Sequence, residues 1–307
     1  MSKKYIIGID LGGTNLKIAL VGPDLKIKAR LVLSTADFHE KSGLIQAIVF
    51  AVIRILAVNQ CSKSQVLGVG LGLPGPIDTD KGLVHFFPNI PGWREVYLKK
   101  LLEQKIKLPV FIDNDANLMA LAESRLGAAK GMRNAVCLTL GTGVGGGIII
   151  DNKLYRGSTY AAGEIGHMPV NEKGPDCNCS GFACLEAYIG NKRLLKEAKG
   201  MFDRHISLEE LSGLAAKKNK KAVMIWERMA ERLGVVLSGI VNLLNPDVIV
   251  IGGGVANAGR IIFDQVKETV LSRAMVVQAK HVRIVKAKLG SDAGMIGAAL
   301  LVKESHL

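Results

Sequence analysis

The chain has 307 residues, a formal net charge of +13 and a hydrophobic fraction of 49%. This length predicts two domains, and the apolar fraction is enough for two packed cores. No apolar run approaches the roughly 20 residues that cross a bilayer, and the N-terminal apolar stretch is too short for a secretory signal. We therefore predict a cytoplasmic protein without a membrane partner. Because the lysines are scattered, we interpret the charge as that of a basic enzyme and predict no nucleic-acid partner.

A glycine-rich turn between two short strands opens the chain. Residues 5–10 and 16–21 have the apolar runs of buried strands, and the segment Leu11-Gly-Gly-Thr-Asn15 lies between them. The elements predicted next are a strand at 25–33, a helix at 43–58, a strand at 66–72, a helix near 94–105, a strand at 110–112 and a helix at about 115–126.

The pattern restarts in the second half. A strand at 135–140 leads into a glycine-rich turn at 141–147 and a strand at 148–151. Ile9–Thr14 and Leu138–Gly143 are both a strand end with a glycine turn, 129 residues apart, which predicts a duplicated domain. The remaining predicted elements are a loop at 168–184, helices from 185 to 244, a strand at 247–251, a strand at 282–287 and a terminal helix.

Three glycine turns each follow an apolar strand, at 11–15, 141–147 and 252–254. Glycine lets backbone N–H groups approach phosphate oxygens closely, so we predict that these turns hold a nucleotide. The string at 141–146 fits G-x-G-x-x-G, but a strand follows it where the dinucleotide-binding motif needs a helix. No G-x-x-x-x-G-K-[ST] string occurs. The remaining interpretation is a hairpin whose glycine turn binds phosphates, as in actin-like ATPases and sugar kinases.

Asp10 stands where the first strand meets its turn. A buried carboxylate is costly there without a partner, and Mg²⁺ takes one or two carboxylates together with phosphate oxygens. We predict that Asp10 binds magnesium, directly or through water; the alternative is a cap of the turn. The residues predicted to bind the nucleotide are Asp10, Gly12, Gly13, Thr14, Asn15, Lys17, Gly141, Thr142, Gly143, Gly252, Gly253 and Gly254.

Three of the five cysteines, Cys177, Cys179 and Cys184, crowd into eight residues. An odd number of cysteines is a poor disulfide framework, and such clustering suggests a metal in a reducing compartment. Tetrahedral zinc needs a fourth ligand, and the nearest upstream histidine is His167. We therefore predict a structural Cys3His zinc site; the alternative for Cys179 and Cys184 alone is a pair of buried thiols.

The run Asp113-Asn114-Asp115 follows the strand predicted at 110–112. A carboxylate within hydrogen-bond reach of a hydroxyl group can accept its proton as a general base. Residues 113 and 115 share one face of an extended segment, so spacing does not choose between the two aspartates. Either could instead cap the helix that follows.

These motifs together resemble the ROK family of sugar kinases and related repressors. The resemblance spans nearly the whole chain in the family's order. Its matching strings are Asp10-Leu-Gly-Gly-Thr-Asn15, Leu73-Pro-Gly-Pro-Ile-Asp78, Pro88-Asn-Ile-Pro-Gly-Trp93, Asp113-Asn-Asp-Ala-Asn117, Leu140-Gly-Thr-Gly-Val-Gly-Gly-Gly147, Gly163-Glu-Ile-Gly-His167, Cys177-x-Cys-x4-Cys-Leu-Glu186, Gly252-Gly-Gly254 and Asp292-Ala-Gly294. The family has glycine where this chain has Ser180 and Ala183. Because the ligand spacing is intact, we expect these two replacements to affect the conformation of the loop and not the binding of the metal.

The resemblance implies two actin-like, ribonuclease H-like α/β domains with a cleft between them. It implies a small domain of residues 1–116 with the returning helix 296–307, and a large domain of residues 117–295 with the zinc loop. It selects Asp115 as the catalytic base, and the sugar-binding residues that it implies are Gly75, Asn89, Asn114, Asp115, Glu164, His167 and Glu186.

The function implied is a Mg-ATP-dependent hexose kinase, with glucose as the first candidate substrate. Alternatives within the family are kinases of N-acetylmannosamine, N-acetylglucosamine, fructose or allose. A sugar-responsive repressor without catalytic activity is a remote alternative, because the first strand begins at about residue 5 and leaves no room for a preceding helix-turn-helix. We expect hexose and ATP as partners, and a homodimer or homotetramer.

Overall fold

The computed structural model describes residues 4–13, 15–35, 40–87 and 93–306. It divides into two compact units. Unit 1 comprises the described residues of 1–125, 154–162 and 291–307, and unit 2 comprises residues 126–153 and 163–290. The division into residues 1–116 with 296–307 and residues 117–295 stays a prediction about domains.

Strands and helices alternate along both units. The strands are β1 Tyr5–Leu11, β2 Asn15–Val21, β3 Ile27–Ser34, β4 Val66–Leu73, β5 Ile77–Asp78, β6 Leu83–Phe86, β7 Arg94–Val96, β8 Val110–Asn114, β9 Ala135–Leu140, β10 Val144–Ile150, β11 Lys153–Tyr155, β12 Val248–Gly252 and β13 Arg283–Lys286. The helices are α1 Lys41–Val58, α2 Leu98–Ile106, α3 Asp115–Leu126, α4 Leu185–Ile189, α5 Asn191–Phe202, α6 Leu208–Ala216, α7 Lys220–Leu244, α8 Arg260–Arg273, α9 Val276–His281 and α10 Ala293–Glu304.

Each unit is built on a five-stranded sheet with the same order. In unit 1 the order is β3-β2-β1-β4-β8. The sheet that contains the strands of unit 2 has the order β11-β10-β9-β12-β13, although only Lys153 of β11 is counted in unit 2. Each sheet contains an antiparallel hairpin, β1–β2 or β9–β10. The strands on the other side of β1 and β9 are parallel. The shared third-second-first-fourth-fifth order confirms the duplication that the repeated glycine turns predict. Strands β5, β6 and β7 form a separate antiparallel sheet.

Helix α10 lies directly on the backbone of β1 and β4. A Cβ atom at Gly8 would collide with the carbonyl of Met295, and one at Gly70 would collide with the carbonyl of Ala298. Glycine at both strand positions therefore lets the helix approach the sheet closely. Residues from the end of the chain complete the core of unit 1 in this way.

Helix α1 is long and apolar enough to cross a membrane by length and composition. Its buried residues are Leu44, Ile45, Ala47, Ile48, Ala51, Val52, Ile55 and Leu56. All of these except Ala47 belong to the hydrophobic core that also contains residues of β1, β2, β4 and β8. A helix whose apolar face is covered in this way is a core helix.

Two predicted elements are wrong at their boundaries. The helix predicted near 94–105 begins only at Leu98, because residues 94–96 pair with β6 as strand β7. The turn predicted at 141–147 ends at Gly143, because residues 144–147 pair with β9 within β10. The glycines at 145–147 suggest a turn by their sequence, but a strand tolerates glycine where another backbone approaches closely.

Candidate functional site

The Asp113-Asn114-Asp115 run lies where β8 ends and α3 begins in unit 1. The Asp113 side chain is only 2% exposed, and Arg156 contacts its Oδ2 through Nε at 2.8 Å and Nη2 at 2.7 Å. Its Oδ1 accepts the backbone N–H of Asn114 at 2.7 Å and the side-chain amide of Asn117 at 3.1 Å. Both oxygens of Asp113 are thus engaged inside the protein.

Asn114 caps helix α3. The sequence allowed this capping role for Asp113 or Asp115. Its Oδ1 accepts the backbone N–H groups of Ala116 and Asn117 at 2.9 and 3.2 Å. Its Nδ2 donates to the carbonyl of Gly75 at 3.2 Å. The structure thereby joins Asn114 and Gly75, two of the predicted sugar-binding residues; Asn89, a third, lies outside the described residues.

The Asp115 side chain is half-buried at the first position of α3. One carboxylate oxygen accepts the backbone N–H of Ala116 at 2.8 Å. The N-terminal end of a helix stabilises negative charge, because its first N–H groups have no partner within the helix. Asp115 is therefore a partly solvent-accessible carboxylate beside the fixed amide of Asn114.

The first glycine turn of unit 1 places Asp10 next to Lys17. The two residues are paired across β1 and β2, and Lys17 Nζ lies 3.3 Å from Asp10 Oδ2. Burial raises the pKa of Asp10, and Lys17 opposes the rise. The N–H of Gly12 donates to the carbonyl of Asn15 at 2.9 Å and closes the turn. A desolvated carboxylate with one lysine neighbour fits a further cation such as Mg²⁺; Thr14 lies outside the described residues.

Helix α10 begins beside the same carboxylate. A Cβ atom built on Gly294 would lie 2.6 to 2.9 Å from the carboxyl atoms of Asp10. Only glycine leaves the carboxyl group in this position. The Asp292-Ala-Gly294 motif and the first glycine turn thus belong to one place in unit 1.

In unit 2, the second and third glycine turns are neighbours. The N–H of Gly141 donates to the carbonyl of Gly143 at 3.0 Å. Gly253 has φ +84°, and a Cβ atom there would collide with the backbone of Leu140, which precedes the second turn. The register of β9 and β12, with Gly252 opposite Thr139, brings the two turns together.

Glu186 joins the second glycine turn to the loop with the predicted sugar ligands. Its Oε2 accepts the backbone N–H of Val144 at 2.8 Å, and a Cβ atom on Gly143 would collide with it. Burial raises the pKa of Glu164, His167 opposes the rise, and Glu186 adds to it. His167 and Glu186 are therefore both close enough to Glu164 to affect its pKa.

His167, Cys177, Cys179 and Cys184 form one cluster, as predicted. Their ligand atoms lie within 4.8 Å of one another. Cys177 Sγ is 3.6 Å from His167 Nδ1, and Cys179 Sγ is 3.6 Å from Cys184 Sγ. Tetrahedral zinc with Zn–S bonds of about 2.3 Å separates two sulfur ligands by about 3.8 Å, so this donor set fits the metal.

The two nitrogens of His167 face different groups. Nδ1 faces Cys177, whereas Nε2 lies 3.8 Å from a carboxylate oxygen of Glu164. A histidine held by zinc through one nitrogen presents the other in a defined direction. The cluster would therefore orient His167 toward Glu164, one of the predicted sugar ligands.

The zinc loop has a left-handed backbone at the two positions where the resemblance implies glycine. Ser180 has φ +70° and Ala183 has φ +56°, both in the left-handed region. For a residue with a Cβ atom this region costs roughly 1–2 kcal/mol. The two residues therefore carry a cost in backbone energy, and the four predicted ligands lie together. A changed loop conformation stays a prediction.

Arg156, the partner of Asp113, could not be recognised from the sequence. It belongs to no recognisable motif and lies 43 positions from its partner Asp113. A long-range ion pair leaves no periodic or spacing signal. The conformation of Asp113 could therefore be found only from the structure.

Comparison with known proteins agrees with these features. Residues 6–305 match the ROK family. A glucokinase of Thermotoga maritima is 35% identical over 320 residues, covering 99% of each chain. A xylose repressor of Caldicellulosiruptor bescii is 31% identical over 310 residues, covering 97% of this chain and 77% of the repressor. A crystal structure of a ROK family glucokinase from Streptomyces griseus, in complex with glucose and AMPPNP, superposes with a TM-score of 0.86 at 32% identity, covering 98% of this chain and 99% of the other.

Removing zinc tests the Cys3His cluster. Chelation is expected to release one zinc ion per chain and to lower Tm by about 5 °C or more, since each kcal/mol lost lowers Tm by roughly 2–4 °C in a chain of this size. Metal content is measured by atomic absorption and Tm by calorimetry. Cys177→Ser is expected to lose the metal, whereas Cys61→Ser, outside the cluster, should retain it. Equal zinc content in the two variants would contradict the assignment.

Ser180→Gly tests the strain in the zinc loop. Relief of the left-handed conformation, less the chain entropy of glycine, is expected to raise the free energy of unfolding by about 0.5–1 kcal/mol. Urea unfolding of the zinc-loaded protein measures it. The matched control is Ser272→Gly within helix α8, which should destabilise instead, because Ser272 has an ordinary helical conformation. A loss of stability in Ser180→Gly would rule out stored strain at this position.

Proposed function

Because the chain belongs to the ROK family, we propose that it is a Mg-ATP-dependent hexose kinase with Asp115 as the general base. Glucose is the substrate that we propose first. Support comes from the glucokinase of Thermotoga maritima and from the solved glucokinase bound to glucose and AMPPNP, which are similar over nearly their full lengths.

The observation that carries this proposal is the different environment of the two aspartates. Asp113 is buried and bound on both oxygens, two of its contacts coming from Arg156. Asp115 is half-buried at the start of α3, next to an asparagine that is anchored to Gly75. A base must reach the substrate, so geometry favours Asp115 where sequence spacing left both open.

The proposed reaction transfers the γ-phosphoryl group of ATP to a sugar hydroxyl. The hydroxyl oxygen forms a bond to the γ-phosphorus, the bond from phosphorus to the bridging oxygen breaks, and ADP leaves. Asp115 accepts the hydroxyl proton. Asn114 would hold a neighbouring hydroxyl group, so that the nucleophile is oriented before attack. A base of this kind contributes about 10²–10⁴-fold, and positioning with charge stabilisation supplies the rest.

The glycine turns are the proposed nucleotide site. In unit 1, Asp10 would hold Mg²⁺, which neutralises charge on the phosphates when bound, with Lys17 beside it. In unit 2, the turns at 141–143 and 252–254 would present backbone N–H groups to phosphate oxygens. The raised pKa of Asp10 supports this assignment, because a cation relieves the cost of a desolvated carboxylate.

The zinc cluster would brace the sugar site. With zinc on Nδ1, the other nitrogen of His167 and the carboxylates of Glu164 and Glu186 would accept or donate hydrogen bonds to ring hydroxyls. Zinc takes no part in phosphoryl transfer in this proposal, since all four of its ligands come from the protein.

Experiments can distinguish glucose from other hexose substrates, and a kinase from a repressor. A methylene-scale difference between substrates shifts discrimination by only about 1–3 kcal/mol. N-acetylmannosamine, N-acetylglucosamine, fructose and allose are therefore the alternative substrates to test. The 31% identity to a xylose repressor makes a sugar-responsive repressor the second candidate. A coupled ADP-release assay over these hexoses tests the first group. Tight DNA binding at physiological salt without turnover would favour the second.

We also propose a cytoplasmic homodimer or homotetramer that needs no nucleic-acid or membrane partner. The cluster of Cys177, Cys179 and Cys184 with His167 supports the location. Four-coordinate thiolate sites of this kind persist where thiols stay reduced.

Asp115→Asn tests the base. The variant is expected to lose about 10²–10⁴-fold in kcat because the amide cannot take the proton, while the affinity for glucose stays within about threefold. A coupled assay measures kcat, and calorimetry measures glucose binding. Asp264→Asn, at an exposed position on α8, serves as the control. Turnover equal to the control would remove Asp115 from this role.

Gly294→Ala tests the magnesium and ATP assignment. The new methyl group would displace the Asp10 carboxyl group, so KM for Mg-ATP is expected to rise at least about tenfold, the equivalent of 1.4 kcal/mol. Glucose binding should be unchanged. Gly200→Ala on α5, where a Cβ atom meets nothing within 4 Å, is the matched control. An unchanged KM for Mg-ATP would contradict the site.

A further inference from the structure

Residues 156–162 form a closed loop that belongs to unit 1, although the chain on both sides of residues 154–162 belongs to unit 2. The N–H of Ala162 donates to the carbonyl of Arg156 at 3.0 Å and closes the loop. Gly157 and Tyr160 have φ +72° and +60°. A bulky residue with positive φ is rare and persists only where its surroundings hold it. The 156–162 loop is therefore held by contacts outside itself.

The first contact is the ion pair between Arg156 and Asp113. The guanidinium group approaches Oδ2 through two nitrogens, Nε at 2.8 Å and Nη2 at 2.7 Å. The exposed fractions of the two side chains are 26% and 2%. A carboxylate this deeply buried depends on its partner, because a lone buried charge is strongly unfavourable.

The second contact joins Tyr160 to Asp80, in the turn between β5 and β6. The phenol hydroxyl donates to Oδ2 of Asp80. This hydrogen bond raises the pKa of Tyr160, so the hydroxyl keeps the proton that it donates. The 156–162 loop is thus tied to unit 1 near each of its ends.

Asp113 transmits the first contact to the proposed catalytic turn. While Oδ2 binds Arg156, Oδ1 holds the backbone N–H of Asn114 and the side chain of Asn117. These two residues flank Asp115 on either side. A rotation of the Asp113 carboxyl group would therefore release both sides of the turn that carries the proposed base.

We propose that Arg156 is a positioning residue for phosphoryl transfer: through Asp113 it fixes the turn that carries Asp115. The assignment rests on the proposed kinase function. The same chain segment continues into Gly163 and Glu164, so the loop that sets the base leads within two residues to a proposed sugar ligand. Misplacement of a catalytic group by 1 Å can lower a rate about 100-fold, which is the size of effect that we assign to Arg156.

The test compares single and double variants. Arg156→Gln leaves Asp113 buried without its counter-charge, so both Tm and kcat are expected to fall, kcat by about 100-fold. The double variant Arg156→Gln with Asp113→Asn removes the lone charge. Its Tm is expected to recover, while kcat at saturating sugar and ATP stays at least about tenfold below that of the unaltered protein, because two amides no longer fix the turn. Arg133→Gln, which breaks an exposed ion pair with Asp151, is the control.

The double variant separates positioning from a purely structural role. If its kcat recovers together with Tm, the ion pair only stabilises the fold and the proposal is wrong. Arg156→Lys provides a second variant if Arg156→Gln does not fold, since it keeps the charge and loses the two-nitrogen contact. Its kcat is expected to fall at least about tenfold with little change in Tm, and an unchanged kcat would also overturn the proposal.

Hydrogen–deuterium exchange tests the linkage without relying on activity. In the double variant, exchange is expected to rise both in residues 154–162 and in residues 113–117. A rise confined to 154–162 would overturn the proposal, because Arg156 would then hold only its own loop. If the unaltered protein phosphorylates no hexose, the proposed function fails, and the exchange result still decides whether Arg156 fixes the turn.

Discussion

The buried carboxylate of Asp113 imposes the constraint on which the proposed catalytic turn depends. An ionised group with 2% exposure must find its hydrogen bonds inside the protein. It finds them on three segments: the end of β8, the first turn of α3 and the loop that begins at Arg156. The geometry around Asp115 therefore depends on the satisfaction of one buried charge.

In unit 2, too, a carboxylate joins separate segments of the chain, here beside a cluster of three cysteines and a histidine. Glu186 binds the backbone of the glycine turn at Val144 and lies close to Glu164. His167 connects the Cys3His cluster to the same carboxylate. Burial raises the pKa of the Cys184 thiol to about 12 and also raises that of Cys177, so binding of zinc must displace protons from both. The proposed sugar ligands of this unit are thus linked to the Cys3His cluster and to the second glycine turn.

Local patterns predicted most of the fold. The apolar runs located the main strands, and the helix expected at about 115–126 is observed at Asp115–Leu126. The zinc ligands followed from the spacing of the cysteines and a single histidine. These features could be predicted because their causes lie within a few residues of one another in the sequence.

Features with distant causes could not be predicted. Spacing left Asp113 and Asp115 equivalent, since the difference between them is an arginine 43 positions away. Strand β7 was missed because its pairing partner β6, and not its own three residues, makes it a strand. The positive φ of Ser180 contradicts the preference of serine, and the closed zinc loop imposes it. In each case tertiary contacts decide what local preference leaves open.

The close packing of α10 on β1 and β4 has a consequence for biosynthesis. Gly8 and Gly70 have no side chains of their own to cover the sheet, and the backbone of Met295 and Ala298 fills that space. During translation the first sheet is complete long before residues 293–304 leave the ribosome. The uncovered face of this sheet stays exposed while the whole of unit 2 is synthesised. The residues of unit 2 are continuous except for 154–162, so unit 2 can fold before α10 is available. The domain made first by the ribosome would then be the last to become native, a reversal of order that leaves its apolar sheet in need of protection.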